Sequence, residues 1–340
     1  MLKINEQIVF ITSIIFAASF FASNTIIPII NKVGLRFNIV DIPNLRKVHK
    51  GEIVRLGGLG ILIGFIFGLI ILLSIGKNYL DINSANSEIT ILIFGSFTFL
   101  LLGLLDDLFA LSPFIRLGTQ FFITSLLFAF GLNIDAIDLS WINKDIDPII
   151  LNSTFRYFFI SFWVVGLTNA INWLDGLDEL ASGVVFIQAI GISIIFIALG
   201  KWELVLIYAS FCGGILGFLK HNRYPAKIMM GDCGSYFLGS FLSISSLIGL
   251  SQNINIQSLK FIDIFPLHLA FLIFILPLVD MSYVIFSRII KGYSPFYPDK
   301  SHFHHKLLNN GFSQRKTVKV LYIISIISVF FSVFTFCITR

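Results

Sequence analysis

The sequence predicts an all-α polytopic membrane protein, and three observations carry that expectation. Hydrophobic residues make up 56% of the 340-residue chain and charged residues 13%, with a mean hydropathy of +0.90; soluble domains carry about 25% charged residues. The apolar runs are each near the roughly 20 residues that cross a bilayer as a helix. The alternating pattern of an outer-membrane barrel is absent. A soluble globular protein and a membrane barrel are both excluded.

Run length, with breaks at charge or at Gly and Pro, places ten spans. The first, 8–30, stops before Lys32, and no small-residue cleavage site follows it, so a retained helix is expected. The second, 57–75, opens on Gly57 and Gly58 and ends before Lys77; the third, 89–105, runs from Glu88 to Asp106. The fourth, 113–131, lies between Pro113 and Gly131, and the fifth, 154–170, gives way to the polar run at Asn172. The sixth, 180–199, and the seventh, 203–219, are split by Gly200 and Lys201, and the seventh ends at Lys220. The eighth, 233–250, follows Asp232; the ninth, 264–288, carries Asp280 inside it; the tenth, 319–338, lies between Lys319 and Arg340.

Alternating gaps fall on opposite sides of the membrane. Seventeen of the 24 Lys and Arg fall on one side and seven on the other. The positive-inside rule makes the richer side cytoplasmic and puts both termini outside. Asp106, Asp107, Asp175, Asp178, Asp232, Asp299 and every His except His268 share that side. Ionisable groups near lipid are expensive and tend to be functional, so the active site is expected on the cytoplasmic face of the cell membrane. The net charge of +5 is spread through membrane-adjacent loops, with no basic helix to suit nucleic acid. Cys212, Cys233 and Cys337 show no paired spacing and read as packing residues. Without internal repeats, 1–340 is expected to be a single domain, with its motifs between about 41 and 306.

Five loops carry the chemistry. In the first, Arg46, Lys47 and His49 offer donors for phosphate oxygens, and Gly57 and Gly58 allow close backbone approach. Topology signals and helix packing are the competing reading of those residues. In the second, the adjacent carboxylates Asp106 and Asp107 repel and call for a cation or a proton, which suits a Mg²⁺-dependent site or a proton acceptor; a solvated helix end is the alternative. In the third, Asn169, Asn172, Asp175 and Asp178 recur at i, i+3 and lie along one stripe of a helical turn, where their oxygens suit a hard cation or a sugar or base; a solvated polar face is the alternative. In the fourth, Lys227 precedes Asp232 at a helix start, where free N–H groups can face phosphate. An Asp helix cap is the alternative there. In the fifth, His302, His304 and His305 can donate to phosphate, or bind a transition metal such as zinc. No Walker A sequence occurs.

These motifs, in this order, resemble the polyprenyl-phosphate N-acetylhexosamine-1-phosphate transferases, the family of WecA-, TagO- and MraY-type enzymes. The matching pieces are Asp41-x-Pro43 with Arg46-Lys47-x-His49 and Gly57-Gly58; Leu105-Asp106-Asp107; Asn169-x-x-Asn172-x-x-Asp175-Gly176-x-Asp178; Asn222-x-x-Pro225-Ala-Lys227 with Met230-Gly231-Asp232-x-Gly234-Ser235; and Pro298-Asp299 with His302-x-His304-His305. The resemblance implies an enzyme that moves a sugar 1-phosphate from a UDP-amino sugar to a polyprenyl phosphate such as undecaprenyl phosphate. UMP would be released, with Mg²⁺ as cofactor or Mn²⁺ in its place, to begin a surface polysaccharide or cell-wall polymer.

Carried over residue by residue, it makes Asp232 the principal metal ligand, supported by Asn172. Asp106 becomes the candidate base and Asp107 its support. Lys47, His49, Asn169, Asp175, Asp178, Lys227, His302, His304 and His305 become substrate-binding residues. Three positions depart from the pattern: Glu179 stands where the family often has Gly, Phe114 where a basic residue is common, with Arg116 as a substitute, and Val54 where Pro is common. The His-x-His-His pattern is similar to the WecA and TagO type. UDP-N-acetylglucosamine or a deoxy amino sugar is therefore expected over the UDP-muramoyl pentapeptide, and a homodimer is compatible with the sequence. Two other classes compete: a cation-coupled transporter, for which Asp280 is the feature, and a homologue that only binds the lipid.

Overall fold

The computed structural model describes residues 6–41, 51–75, 86–139, 141–142, 146–256, 260–297 and 299–339. The chain runs through α1 (Glu6–Arg36), the antiparallel pair β1 (Val40–Asp41) and β2 (Ile53–Val54), α2 (Gly57–Ile75) and α3 (Asn86–Phe109). Next come α4 (Pro113–Ala129), β3 (Ala136–Ile137), β4 (Ile149–Ile150), α5 (Ser153–Leu174), α6 (Leu180–Leu199), α7 (Trp202–Asn222) and α8 (Gly231–Leu250). They are followed by β5 (Gln252–Ile256), β6 (Lys260–Phe265), α9 (Leu267–Ile273), α10 (Ile275–Ile290), α11 (Phe303–Asn309) and α12 (Gln314–Thr339). Each of the ten expected spans falls on this helical framework. Among the described residues eight helices are long and apolar enough to cross a membrane, and α9 with α10 makes up to nine. Helix α4, at 17 residues, is shorter.

The bundle is built around α8, whose spanning stretch is buried along its whole length. Its sequence explains that position, because small Gly and Ser side chains let neighbouring helices approach closely. Their hydroxyls do not go unpaired: Ser240 and Ser245 bond carbonyls of the preceding turn, Tyr208 meets Ser245 at 2.6 Å, and Trp163 donates to Ser246 at 3.1 Å. Helices α2, α3, α5 and α6 pack around it, α7 reaches it through Tyr208 and Phe211, and α1 lies beyond. The outer helices turn Phe10, Phe21, Phe330 and Phe334 outward, as lipid-facing surfaces require.

Two prolines show how the fold repairs its own backbone. Pro277 cannot donate to the carbonyl four residues earlier, Ile273, and Gln188 of α6 donates to that oxygen instead at 3.1 Å. The ninth span, expected as one helix, is bent there by 82° between α9 and α10. In α1, Pro28 leaves the carbonyl of Asn24 free, and the ring of His221 reaches it at 3.1 Å. His221 therefore has structural work on the face where the sequence groups the histidines.

An all-α reading misses one feature outside the spans. A four-stranded sheet of order β4-β3-β6-β5 is assembled from the α4–α5 and α8–α9 connections. Strand β3 pairs in parallel with β6, while the two outer pairs are antiparallel. It sits beyond the C-terminal end of α8, so the N-terminal end of α8 is left for the acidic loops.

Candidate active site

Chain entry into α8 demands glycine. Gly231 has φ +76, and a Cβ there would overlap the carbonyl oxygen of Arg55. Asp232 follows in the first turn. Its N–H and that of Cys233 donate to Asp107, at 3.0 and 2.9 Å. The amides that the sequence offers to phosphate are thus already bonded to a carboxylate at the end of α3, which occupies the place an anion takes at a helix N-terminus. Gly57 and Gly58 are committed in the same way, donating to the carbonyls of Met229 and Met230 at 2.9 and 2.8 Å. Packing, the competing reading of those glycines, is what the structure shows.

The neighbouring acids do not share one cation. Asp106 and Asp107 point apart on α3, and each has its own arginine. Asp106, 5% exposed, accepts from Arg116 at 2.8 Å and from the Leu111 amide at 2.9 Å. Arg116 thus supplies a basic group beside the double acid, where Phe114 cannot. Asp107 faces Arg55 at 3.3 Å.

Arg55 is the residue whose role sequence reasoning missed. Its guanidinium stands 3.5 Å from Asp41, 3.3 Å from Asp107 and 3.5 Å from Asp232. Burial works to lower its pKa, but the carboxylates of Asp232, Asp107, Asp41 and Asp175 outweigh it and the guanidinium is held more firmly charged. The available signal was a charge directly before Leu56 and the Gly57–Gly58 pair.

The polar stripe breaks where α5 ends, at Leu174. Asn169 lies a turn inside the helix and donates to Gln120 at 2.6 Å. Asn172 donates from Nδ2 to Asp232 at 2.6 Å and to Ser235 at 2.8 Å, which orients the acid. Asp175 is the cap residue beyond, and Asp178 accepts from the Ala226 amide at 3.0 Å. Glu179 adopts φ 59, the left-handed region that explains a preference for Gly at this point. Its N–H donates to Asn222 at 2.8 Å.

These segments enclose a cavity of about 290 Å³ lined by Asp41, Arg55, Asn172, Asp175, Asp178, Asn222, Asp232 and His305, among others. The carboxyl of Asp175 is pushed up to about 8, first by burial and then by the charge of Asp232. Of the three loop histidines, only His305 lines the cavity. His304 is buried with neither ring nitrogen hydrogen-bonded, and burial, then its two histidine neighbours, drives its pKa well down and keeps it neutral. His302 donates or accepts through Nδ1 to Asp280 at 2.8 Å. Asp280, the feature behind the transporter reading, is thus paired to the histidine loop. Lys227 is exposed outside the cavity wall, and Lys47 and His49 lie outside the described residues.

The sequence profile described as Glycosyl transferase family 4 matches residues 89–250, from the start of α3 to the end of α8. A Bacillus subtilis (strain 168) protein named as a probable undecaprenyl-phosphate N-acetylglucosaminyl 1-phosphate transferase is 32% identical over 92% of this chain and 81% of its own. The chain belongs to this family. An Escherichia coli O157:H7 protein named undecaprenyl-phosphate alpha-N-acetylglucosaminyl 1-phosphate transferase is 31% identical over 84% of this chain and 73% of its own. The decaprenyl-phosphate N-acetylglucosaminephosphotransferase of Mycobacterium leprae (strain TN) is 29% identical over 85% of this chain and 74% of its own. This family member is a multi-pass membrane phosphotransferase.

Proposed function

We propose that the chain transfers N-acetylglucosamine 1-phosphate from its UDP derivative to a polyprenyl phosphate at the cytoplasmic face of the cell membrane. An oxygen of the lipid phosphate attacks the sugar-bearing phosphorus, the bond from that phosphorus to the bridging oxygen breaks, and UMP leaves with the electron pair. The observation that carries this reading is the meeting of Asp41, Asp107 and Asp232 around Arg55 at a helix end, beside Asp175 in the same cavity, where a soluble nucleotide and an interfacial lipid phosphate can both arrive. Seventeen of 24 basic residues on that side support the cytoplasmic assignment.

The donor set fits a hard divalent cation. Asp175 and Asp232 present carboxylate oxygens to the cavity, Asp107 stands behind them with both oxygens bonded to the first amides of α8, and Arg55 balances part of the charge; the Asp175 carboxyl is pushed up to about 8 by burial first and then by Asp232. Asp232 would hold Mg²⁺, with Asn172 fixing that carboxylate; bound there, the cation neutralises charge on the diphosphate. The rest falls to the chain's own groups. Asp107 fixes the start of α8, Asp106 sets Arg116 beside the incoming lipid phosphate and is the candidate base, and Asp175, Asp178 and His305 line the donor's cavity. Catalysis is then mainly positioning and charge neutralisation.

The test is incorporation of radiolabelled UDP-N-acetylglucosamine into undecaprenyl phosphate by purified protein, with and without Mg²⁺, beside Asp232→Ala. Mg²⁺-dependent labelled lipid and UMP, lost in the variant, are expected. Product only with a different UDP-amino sugar would keep the reaction and replace the donor; no product with any donor would overturn the reading.

A further inference from the structure

We infer that Asp280 is the positioning residue for the histidine loop, fixing the His302 ring and, through it, the loop that brings His305 to the cavity wall; this rests on the transferase reading above. Asp280 is 1% exposed within α10. A carboxylate so buried in a membrane-spanning segment is costly unless paired and hydrogen-bonded. Both of its oxygens are engaged by one stretch of chain more than twenty residues away. Oδ2 meets Nδ1 of His302 at 2.8 Å and Oδ1 accepts the Phe303 amide at 2.7 Å.

The rest of α10 serves the same loop without touching an imidazole. Arg288 donates to Asp299 at 2.8 Å and to the carbonyl of Pro295. Its guanidinium lies 5.1 Å from the Trp173 ring, whose edge meets His302 at 5.9 Å. Tyr283 carries the ammonium of Lys306 over its ring at 3.5 Å. Three side chains of one helix therefore hold the loop from Pro295 to Lys306, and among them Asp280 alone fixes a histidine.

The three histidines differ for that reason. His304 has no partner on either nitrogen, and no carboxylate is bonded to His305 among the described residues. With Nδ1–H of His302 committed to a carboxylate, its tautomer is fixed and its ring is held against those of His304 and His305, at separations of 5.4 and 6.3 Å. Neither Asp280 nor His302 lines the cavity, so both act through the placement of His305, which does.

The test combines two readouts. Asp280→Asn keeps an oxygen for the Phe303 amide but presents an NH₂ group to Nδ1, so it removes the tautomer lock with little change of shape. Transferase rates are measured for this variant in the wild-type and His302→Gln backgrounds, and ¹⁵N imidazole NMR of the detergent-solubilised protein reports the His302 tautomer. A fall in kcat of about 10- to 100-fold, absent in the His302→Gln background, with His302 moving from Nδ1–H to Nε2–H, is expected. Equal losses in both backgrounds, or an unchanged tautomer, would overturn the inference. Asp280→Glu, which keeps the carboxylate, is expected to restore the Nδ1–H tautomer if Asp280→Asn does not fold; failure to restore it also overturns the inference. Wild-type protein inactive with every UDP-amino sugar would instead sink the transferase reading, while the NMR result still decides the role of Asp280.

Discussion

The carboxylate of Asp107 receives the backbone N–H groups of both Asp232 and Cys233, at 3.0 and 2.9 Å. One side chain from the end of α3 thereby fixes the first turn of α8 and, with it, the direction of the Asp232 carboxylate. Arg55 bridges the two acids, so the charge that Asp107 carries also holds the arginine in place. A merely solvated helix end would show none of these bonds.

Asp107→Asn is therefore expected to cost activity far more than stability. The amide keeps the shape and one acceptor, but its NH₂ group faces a backbone N–H and its lost charge loosens Arg55. A loss of roughly 100-fold or more in kcat is expected, on the scale of removing one preorganised electrostatic contact. The thermal midpoint should drop by only a few degrees, followed by tryptophan fluorescence in detergent. Near-wild-type turnover would show that this cap is structural only.

Glu179 gives a prediction of opposite sign. A non-glycine residue at φ 59 costs about 1 kcal/mol or more of strain. The backbone holds the conformation in place, through Asn222 on the N–H and the Tyr322 hydroxyl on the carbonyl. Both contacts survive Glu179→Gly; only the carboxylate's approach to exposed Arg223, at 3.7 Å, is lost. The variant should melt about 1–2 °C higher and keep its transferase rate within about twofold. A lower midpoint would mean that the side chain contributes more than the strain costs.

What the sequence revealed and what it concealed divide along physical lines. The polytopic helical framework was legible because lipid imposes a minimum length and an apolar composition on spanning helices, although among the described residues eight or nine of the ten expected spans meet that test and α4 is too short for it. The face carrying the site was legible because carboxylates and histidines cluster where charge is tolerated. The 82° bend at α9–α10 was legible only as Pro277, since a lone proline does not say whether another side chain takes up the freed carbonyl. Partnerships were the hidden part. Arg55 lies 177 positions from Asp232 and Asp280 lies 22 from His302, and no local pattern reports such pairings. For Arg55 and Asp280 the local signals, a charge beside a glycine pair and an acid inside a span, pointed to other roles.

If the cavity takes Mg²⁺ as proposed, Asp175 should make that affinity depend on pH. Its carboxyl is pushed up to about 8, by burial first and then by Asp232, so the cation-free protein carries a proton there below that pH. A cation in the cavity favours the ionised form and expels the proton. Affinity should thus rise as pH rises from 6 toward 8, by up to about tenfold per unit, and level off above. Calorimetry in buffers of different ionisation enthalpy should find a proton released at pH 6.5 and little at pH 9. Asp175→Asn should flatten the slope. A flat profile in the wild-type protein would show that no cation binds near this carboxyl.

Gly176 tests whether the Asp175 loop and the histidine loop act as one site. A Cβ on residue 176 would run into Nε2 of His304. His304 is 1% exposed and packed between His302 and His305, at ring separations of 5.4 and 4.2 Å, so it cannot simply swing away. Gly176→Ala should push the histidine loop off the cavity while leaving the helices untouched. A fall of at least about tenfold in kcat/KM is expected, since small misplacements near reacting groups are costly. Because the overlap is with one ring, trimming that ring should relieve it. His304→Ala alone and combined with Gly176→Ala should then have equal rates. A Gly176→Ala penalty that persists in the His304→Ala background would place its effect in the Asp175 turn itself, not in the contact between the loops.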